Sequence, residues 1–588
     1  MSGAKLFLKG SLMPSDNDSA FLLDSERRGV PNRDRMRRYQ DEDEVDLLIV
    51  GCGAGGSVLA QRLGRVGWRV VVLEKGPFWD PDEDWVSDEE GSHALYWNEQ
   101  RIVGGEDPVE LGKNNCGHGV GGSMIHFAGY APRFHPSDFE VKTRDGVGAD
   151  WPISYWDLKP SFERVERELP VAGQFWPWGD PHGYPHGPHP ISGAAERAWS
   201  GAIACGIEMR VGPVAITNGV FGNRPHCIYR GFCLQGCKAN AKASPLVTHV
   251  PDAIEHGVEI RAGCMATRIE IDESGRCRGV TYVRDGRERH QRAALVAVAG
   301  YAIETPRLLL NSTSARYPNG LANNDDQVGR YVMVQGAPQV AGRFPERLSM
   351  FKGPPPEVSS EQFYETDESR GFARGFSIQT VGPLPIGWAE HVRADGHWGA
   401  ALREYMRDYD HWSVLGALSE LLPLPENRVT LADEADRNGM PIARFDYTQC
   451  DNDRANIASA KQVMMDIWDA AGAQDTLTID RYAHLVGGAR MGTAPETSVV
   501  DSDHRAWGIP NLIVADGSVM PTQSAANPAL AIMALADRLA ARLQAKRIRA
   551  ERPRRIGLVA AIGDAVAGPP RGIRPRGACL TRPQPDTS

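Results

Sequence analysis

The chain has 588 residues, of which 65 are basic and 75 acidic, so its formal net charge is −10. With 41% hydrophobic and 24% charged residues, the composition is that of an ordinary globular protein. The length suffices for three or four domains, or for two large interleaved ones. The acidic balance argues against nucleic-acid binding. Because no window approaches the roughly 18–20 apolar residues of a membrane span, we predict none.

The N-terminal segment 1–44 is charged and is predicted to be an extension. Its arginine pairs, Arg27-Arg28 and Arg37-Arg38, are not followed by an apolar stretch of about 7–15 residues, so we expect no export signal. The ten cysteines are too sparse for a disulfide scaffold and would stay reduced in the cytosol. The residues alone therefore predict a cytoplasmic protein.

The segment after this extension has the pattern of a βαβ unit. The mostly apolar run 45–50 is typical of a buried parallel strand, 57–66 has helical periodicity, and 68–73 predicts a second strand that ends at Glu74. Between the first strand and the helix stands a G-x-G-x-x-G motif that begins at Gly51. Strand, motif, helix and acid together match the dinucleotide-binding fingerprint.

Each residue of this fingerprint has a physical role in binding a dinucleotide. Gly51 allows the tight turn, Gly53 lets the backbone approach a pyrophosphate, and Gly56 lets the helix pack against the strand. The helix N-terminus then faces the phosphates. Glu74 can accept hydrogen bonds from both ribose hydroxyls and would repel a 2′-phosphate. The unit therefore predicts FAD or NAD rather than NADP.

Later segments complete an α/β core. The block 258–298 contains four short β-type runs, which we assign to this core, and 304–310 is helical. A strand that starts at Ile513 and ends on the acid Asp516, and an amphipathic helix at 528–543, follow near the C-terminus. The less regular stretches between these blocks are rich in Trp, Pro and His, and we assign them to an inserted substrate-binding domain.

Three further motifs follow the fingerprint in the sequence. They are Gly119-Val-Gly121-Gly122-Ser123 followed by Arg133 and Asp138; Gly300-Tyr-Ala-Ile-Glu-Thr305-Pro306; and a C-terminal block with His484-Leu-Val-Gly487, Ala515-Asp516-Gly and Asn527-Pro528. With these four motifs, the chain resembles the glucose–methanol–choline (GMC) family of flavin oxidoreductases over about residues 45–543.

The resemblance implies a Rossmann-like FAD-binding domain with an inserted α+β substrate-binding domain built on a mainly antiparallel sheet. The expected division is the extension 1–44, FAD-binding parts 45–150, 223–324 and 481–548, substrate-domain parts 151–222 and 325–480, and a disordered tail 549–588.

FAD is the cofactor that the resemblance implies. The residues expected to bind it are Gly51, Gly53, Gly56, Glu74, Gly121, Gly122, Ser123, His126, Met265, Asp516 and Pro528. His126 aligns with the histidine that pyranose oxidases join covalently to the flavin, and a non-covalent contact with the ring edge is the alternative.

Oxidation of an alcohol on a flavin requires a base that takes the O–H proton. Histidine suits this role because its ordinary pKa of about 6.5 lies near working pH. His484 occupies the position that resembles the family's catalytic histidine, and Asn527 matches its partner. We therefore expect His484 to be the base and Asn527 to donate a hydrogen bond to the substrate oxygen.

The resemblance is nearest to the sugar and gluconate dehydrogenases and the pyranose oxidases, which implies a sugar, sugar acid or polyol as substrate. Trp176, Trp178 and Tyr184 would suit sugar stacking or a core equally.

The electron acceptor stays open between oxygen, a quinone and a cytochrome subunit. A signal-bearing small subunit would place the protein in the periplasm. An apolar alcohol as substrate, or a lyase of this family that is redox-silent, is the alternative.

Two groups of side chains raise the question of a metal, and we predict no metal site. His182, His186 and His189 are separated by Pro and Gly and favour a solvated loop. The three thiols Cys227, Cys233 and Cys237 stand close together in the sequence. They leave two alternatives open, an iron–sulfur cluster or a cysteine-rich segment without one.

Overall fold

The structure, a computed structural model, describes residues 36–111 and 116–551. Nineteen strands lie among these residues. In chain order they are β1 Leu47–Val50, β2 Val70–Leu73, β3 Ile102–Gly104, β4 Arg210–Val211, β5 Glu259–Arg261, β6 Met265–Ile271, β7 Cys277–Arg284, β8 Arg287–Arg292, β9 Val296–Val298, β10 Met333–Gly336, β11 Gln339–Arg343, β12 Val358–Ser360, β13 Phe376–Val381, β14 Trp412–Ser419, β15 Arg428–Ala435, β16 Pro441–Asp446, β17 Asp475–Ile479, β18 Tyr482–Val486 and β19 Leu512–Val514.

The α-helices of the same residues include all those that the sequence predicts. In chain order they are α1 Ala54–Arg65, α2 Val141–Asp145, α3 Tyr155–Glu168, α4 Gly193–Ala204, α5 His249–Glu255, α6 Tyr301–Asn311, α7 Pro385–Ala394, α8 Ala400–Arg407, α9 Asp451–Ala471 and α10 Ala529–Glu551. Helix α10 extends beyond the predicted end at residue 543.

A five-stranded parallel sheet forms the nucleotide-binding part, with the strand order β19-β9-β1-β2-β5. Four of its strands, β1, β2, β9 and β19, are apolar throughout because both faces are buried, whereas the edge strand β5 carries Glu259 and Arg261. Leu47 and Ile49 pack into a core on one face, whereas Leu48 and Val50 pack into a core on the other. The alternation follows from the two-residue period of a strand.

An eight-stranded antiparallel sheet forms the second part. Its main order is β17-β11-β14-β13-β12-β4, and β10 joins β14 to β18. The chain therefore supplies the two large sheets alternately, which confirms the expected fold of a Rossmann-like part with an inserted antiparallel part. Strand β18, which carries His484, belongs to the antiparallel sheet although it follows the predicted boundary at residue 481.

The four β-type runs predicted in the block 258–298 form strands that belong to two different sheets. Strands β5 and β9 join the parallel sheet, whereas β6 and β7 form a separate three-stranded antiparallel sheet with β8. A short β-type run does not show in its sequence which sheet it joins. Here β6, β7 and β8 pair with one another as consecutive antiparallel strands, and this pairing keeps them out of the parallel sheet.

The structure describes only part of the predicted N-terminal extension and of the predicted C-terminal tail. Within the predicted extension 1–44, the backbone N–H of Tyr39 donates to Glu259 Oε2 at 2.9 Å, and Arg261 donates to the Tyr39 carbonyl at 2.8 Å. Residues 1–35 and 552–588, and with them most of the tail predicted to be disordered, lie outside the described residues. No helix of the described part is long and apolar enough to cross a membrane.

Candidate active site

Two glycine loops meet beyond the carboxyl end of β1. A Cβ atom on Gly122 would lie 2.6 Å from the Cα of Gly53, and one on Gly51, whose φ is +101°, would lie 2.2 Å from the Ala299 carbonyl oxygen. Only glycine fits at these two positions. The bare backbone leaves the N-terminus of α1 open to a phosphate group, as the fingerprint predicts.

Glu74 connects three backbone segments through its carboxylate. One oxygen accepts from the N–H of Cys52 at 2.9 Å, and the other accepts from Gly76 at 2.9 Å and Gly119 at 3.1 Å. A carboxylate has about four lone-pair positions, so these bonds leave roughly one for a ribose hydroxyl. The structure thus gives Glu74 a bracing role between these segments, and the expected contacts with the ribose hydroxyls stay a prediction.

A cavity of about 430 Å³ extends from these loops to the antiparallel sheet. It brings together residues that are far apart in the sequence. Of the predicted site residues, those that line it are Gly51, Gly53, Glu74, Gly122, Ser123, His126, Met265, His484, Asp516, Asn527 and Pro528. Gly56 and Gly121 lie behind this wall, where a Cβ would meet the Gly51 carbonyl at 2.1 Å and the Ile125 side chain at 2.9 Å.

The cavity fits FAD by its exposed glycine backbone and its polar groups. The glycine loops provide the close backbone approach that a pyrophosphate needs. At the other end, His126 Nε2 and Asn527 Oδ1 are buried and have no hydrogen-bond partner within the described chain. Buried polar atoms of this kind are rare unless a ligand or water satisfies them.

A β-bulge orients His484. The pairing of β10 with β18 shifts register between Met333 and Gln335, opposite the segment that contains His484. His484 itself has φ +51°, in the left-handed region that non-glycine residues seldom adopt. Bulges next to active sites redirect a side chain. Here the bulge allows His484 as well as its neighbour Ala483 to face the cavity.

A chain of hydrogen bonds connects Gln335, His484 and Asn527. The Gln335 amide donates to the carbonyls of Ser524 and Ala526, the latter at 2.9 Å, so its Oε1 is left to face His484. His484 Nδ1 lies 2.5 Å from that oxygen. Nδ1 must therefore carry a proton, and Nε2 of the neutral ring is an acceptor. Asn527 Nδ2 lies 3.2 Å from Nε2.

His126 stands in the cavity wall as a neutral imidazole. Its ring packs edge-on against Tyr96, with 4.8 Å between the ring centroids. Burial, with a smaller contribution from Lys242, lowers the pKa of His126 to about 3. The position agrees with either alternative for this residue, a covalent bond to the flavin or a contact with it.

Asp516 links the end of β19 to the start of α6. Its carboxylate accepts from the N–H of Tyr301 at 2.8 Å, the hydroxyl of Thr305 at 2.5 Å and the N–H of Ser518 at 2.8 Å. Burial raises the pKa of Asp516, and these donors oppose the shift. Asp516 thus holds the wall of the cavity in place as well as bordering it.

Sequence reasoning missed Tyr96 and Arg481, which line the cavity, and Gln335, which lies behind its wall and contacts His484. Gln335 carried one usable signal, because it is a polar residue inside the short apolar strand β10 and is completely buried. Buried polar side chains need partners, which makes such a residue a site candidate. Arg481 stands three residues before His484 and carried no signal of its own.

Of the two alternatives left open for the three aromatic residues, sugar stacking or a core, the structure favours packing against one another. Trp176, Trp178 and Tyr184 do not line the cavity and instead pack together, with 4.9 Å between the two indole rings. The histidine loop next to them is only partly solvated. His189 is buried and bonds the Tyr229 hydroxyl and the Ile216 carbonyl, both at 3.1 Å.

The cysteine segment packs as an apolar cluster. Cys227 and Cys233 lie in one small core with Tyr130 and Ile216. Burial raises the pKa of Cys233 to about 12, so this thiol is protonated at neutral pH. Over residues 36–111 and 116–551, no group of three or more His, Cys, Asp or Glu side chains is arranged to hold a metal ion.

Comparisons with known proteins agree with the fold. The family models for the GMC oxidoreductase match residues 186–334 and 423–536. The 2-methyl-1,2-propanediol dehydrogenase of Mycolicibacterium austroafricanum is 32% identical over 84% of this chain and 94% of its own length. The fructose dehydrogenase large subunit of Gluconobacter japonicus is 28% identical over 84% and 97%.

A solved structure shows the same fold. The R554A variant of Aspergillus oryzae formate oxidase, determined for its effect on FAD modification, superimposes with a TM-score of 0.62 at 15% identity over 87% of this chain and 100% of that one. The protein belongs to the GMC oxidoreductase family. It is an FAD-binding flavoprotein that acts as an oxidoreductase on CH–OH groups.

Proposed function

We propose that this protein oxidises the alcohol group of a sugar, sugar acid or polyol, with His484 as the base and Asn527 as the donor to the alcohol oxygen. The observation that carries the proposal is the hydrogen-bond chain from Gln335 through His484 to Asn527. In this chain Nε2 of His484 is the unprotonated ring nitrogen, and it borders the cavity.

The substrate hydroxyl takes a place between His484 and Asn527. In the free protein the Asn527 amide occupies the lone pair of His484 Nε2 at 3.2 Å. An alcohol that enters accepts a hydrogen bond from Asn527 and donates its O–H to Nε2. This bridge holds the hydroxyl and places its proton against the base.

When bound, FAD supplies the acceptor for the hydrogen on the alcohol carbon; the residues of the chain handle the proton. Burial and the nearby Arg481 lower the pKa of His484 to about 4. This pKa is lower than the ordinary histidine pKa of about 6.5, on which we based the expectation that His484 is the base. The ring is therefore neutral at physiological pH, and its unprotonated Nε2 can accept a proton. Gln335 Oε1 then stabilises the imidazolium through Nδ1–H.

The substrate class is supported by relatives that act on a small diol and on fructose, as their names state. One of them is named a large subunit, which supports a small partner subunit for this chain as well. We propose either a cytoplasmic location or, with a signal-bearing subunit, a periplasmic one. The proposed electron acceptor is oxygen, a quinone or a cytochrome subunit.

An anaerobic substrate screen tests the proposal. The purified holoprotein is mixed with sugars, aldonic acids, polyols and simple alcohols, and bleaching of the flavin absorption band is followed. We expect bleaching by at least one member of the first three classes. Bleaching by apolar alcohols alone contradicts the proposed substrate class, and no bleaching by any alcohol contradicts the oxidation.

A further inference from the structure

Arg481 is the cation in the cavity that has no acidic partner. Five Lys and Arg side chains line the main cavity and a smaller one of about 260 Å³ beside it. Four of them form ion pairs: Lys75 with Glu99, Arg101 with Glu304, Arg454 with Asp107 and Lys461 with Asp480. The guanidinium of Arg481 has no hydrogen bond or ion pair to any residue in the described part of the chain.

The position of Arg481 is close to the proposed chemistry. It stands three residues before His484, at the start of β18, and lines both cavities. Its positive charge lowers the pKa of both His484 and Tyr96, two residues that line the main cavity with it. Its backbone is held, because its carbonyl accepts from the Ala337 N–H at 2.8 Å.

An uncompensated cation in a partly buried site is costly for the free protein. Two acids that act on Tyr96 together with Arg481, Glu89 and Glu390, line the same cavity, and neither forms an ion pair with Arg481 in the described part of the chain. Glu89 is engaged elsewhere. Its two carboxylate oxygens accept from the N–H groups of Ile386 and Gly387 at the N-terminus of α7, at 2.7 and 3.0 Å. A carboxylate of a ligand would therefore give Arg481 the direct ion-pair partner that the described residues do not supply.

We propose that Arg481 binds a carboxylate of the substrate while His484 and Asn527 bind its hydroxyl, so that the preferred substrate is a hydroxy acid of the sugar-acid type. This inference rests on the proposed function and narrows its substrate class. A guanidinium suits the role because its planar fork donates two parallel hydrogen bonds to a carboxylate. A neutral polyol lacks the group that would compensate the Arg481 charge.

Titration with malonate and malonamide tests the site without turnover. Neither compound has a CH–OH group, and they differ in charge. Perturbation of the flavin absorption spectrum of the oxidised holoprotein is measured for the unaltered protein, Arg481→Met, Arg481→Lys and the matched control Lys461→Met. Lys461 also lines the smaller cavity, but it is paired with Asp480.

We expect malonate to bind and malonamide to bind far more weakly. Arg481→Met raises the Kd of malonate about 10- to 100-fold, as expected for the loss of charge-assisted hydrogen bonds. Arg481→Lys retains part of the affinity, and Lys461→Met has none of this effect. Equal affinity for malonate and malonamide, no binding of malonate, or unchanged binding by Arg481→Met would overturn the inference.

A matched pair of substrates separates this inference from the proposed function. Glycerate and glycerol differ in one carboxylate, and we expect Arg481→Met to raise the KM for glycerate at least about tenfold while that for glycerol changes little. If no alcohol bleaches the flavin, the proposed function fails, but the malonate titration still decides whether Arg481 binds anions. If glycerol is oxidised as efficiently as glycerate, the function stands and the anion site is wrong.

Discussion

Gln335 Oε1 accepts a hydrogen bond from Nδ1 of His484 at 2.5 Å, although the two residues are 149 positions apart in the sequence. The amide cannot turn to present its nitrogen, because that nitrogen donates to two backbone carbonyls of the segment before Asn527. The Gln335 side chain thus sets the tautomer of His484 and connects His484 to the segment that carries Asn527. Gln335 is a positioning residue, and its effects should differ from those of His484.

Replacing His484 by alanine should abolish flavin reduction and leave FAD bound. Loss of a general base removes about 10²–10⁴-fold of the rate. Flavin content and the anaerobic reduction rate measure the two effects separately. Loss of the flavin together with activity, or near-normal reduction, would contradict the role of His484 as base.

The variant Gln335→Glu should shift the pH profile of reduction. His484 has a pKa lowered to about 4, so the base form, and with it the rate, is lost only as the pH falls through about 4. A carboxylate beside Nδ1 favours the imidazolium and raises this pKa. The acid limb of kcat/KM should therefore move to higher pH.

The uncharged variant Gln335→Met is the control for that shift. It removes the acceptor without adding a charge and leaves a buried Nδ1–H unsatisfied, which costs about 1–3 kcal/mol. The rate should fall, and the acid limb should move to lower pH, opposite to the shift in Gln335→Glu, because the imidazolium loses its acceptor. An equal shift of the acid limb in both variants would mean that a general structural disturbance, rather than charge, is responsible.

Asn527→Ala should slow reduction less than His484→Ala does. The variant loses the donor to the alcohol oxygen, a loss of about 2–4 kcal/mol if Asn527 acts like one oxyanion donor. Single-turnover reduction rates of the two variants, measured side by side, give the comparison. Equal loss in both would show that the roles are assigned wrongly.

Glu74→Ala should weaken FAD binding and also destabilise the loops that surround the cofactor. The carboxylate accepts from three backbone N–H groups, and each charge-assisted bond contributes about 1.5–3 kcal/mol. Titration of the apoprotein with FAD gives the Kd, and thermal unfolding of the apoprotein gives the effect on the loops. An unchanged Kd would remove Glu74 from the cofactor site.

His126→Ala should alter the flavin absorption spectrum, because the imidazole lines the cavity beside Tyr96. Acid precipitation then decides between the two alternatives for this residue. Colour that stays in the washed pellet, and is absent in His126→Ala, shows a covalent bond, whereas full release leaves a contact. An unchanged spectrum together with full release would place His126 away from the flavin.

The sequence determined the parts of this protein that depend on neighbours along the chain. The run of Val45 to Glu74 specifies a strand, a glycine turn and a helix within one short segment, and the physical demands of a pyrophosphate act on the same residues. His484 and Asn527 could be named because their flanking motifs are specific. Local patterns of this kind can be recognised in the sequence without knowledge of the fold.

Only the tertiary structure decided which distant polar groups meet. Gln335, His484 and Asn527 come together because β10 pairs with β18, and the bulge in that pairing directs His484 into the cavity. The same reason explains the division of the block 258–298 between two sheets. Arg481 has no ion-pair partner among the described residues because of where the nearby carboxylates lie in the folded protein. The sequence around Arg481 does not show this, since ion pairs between distant residues leave no local pattern.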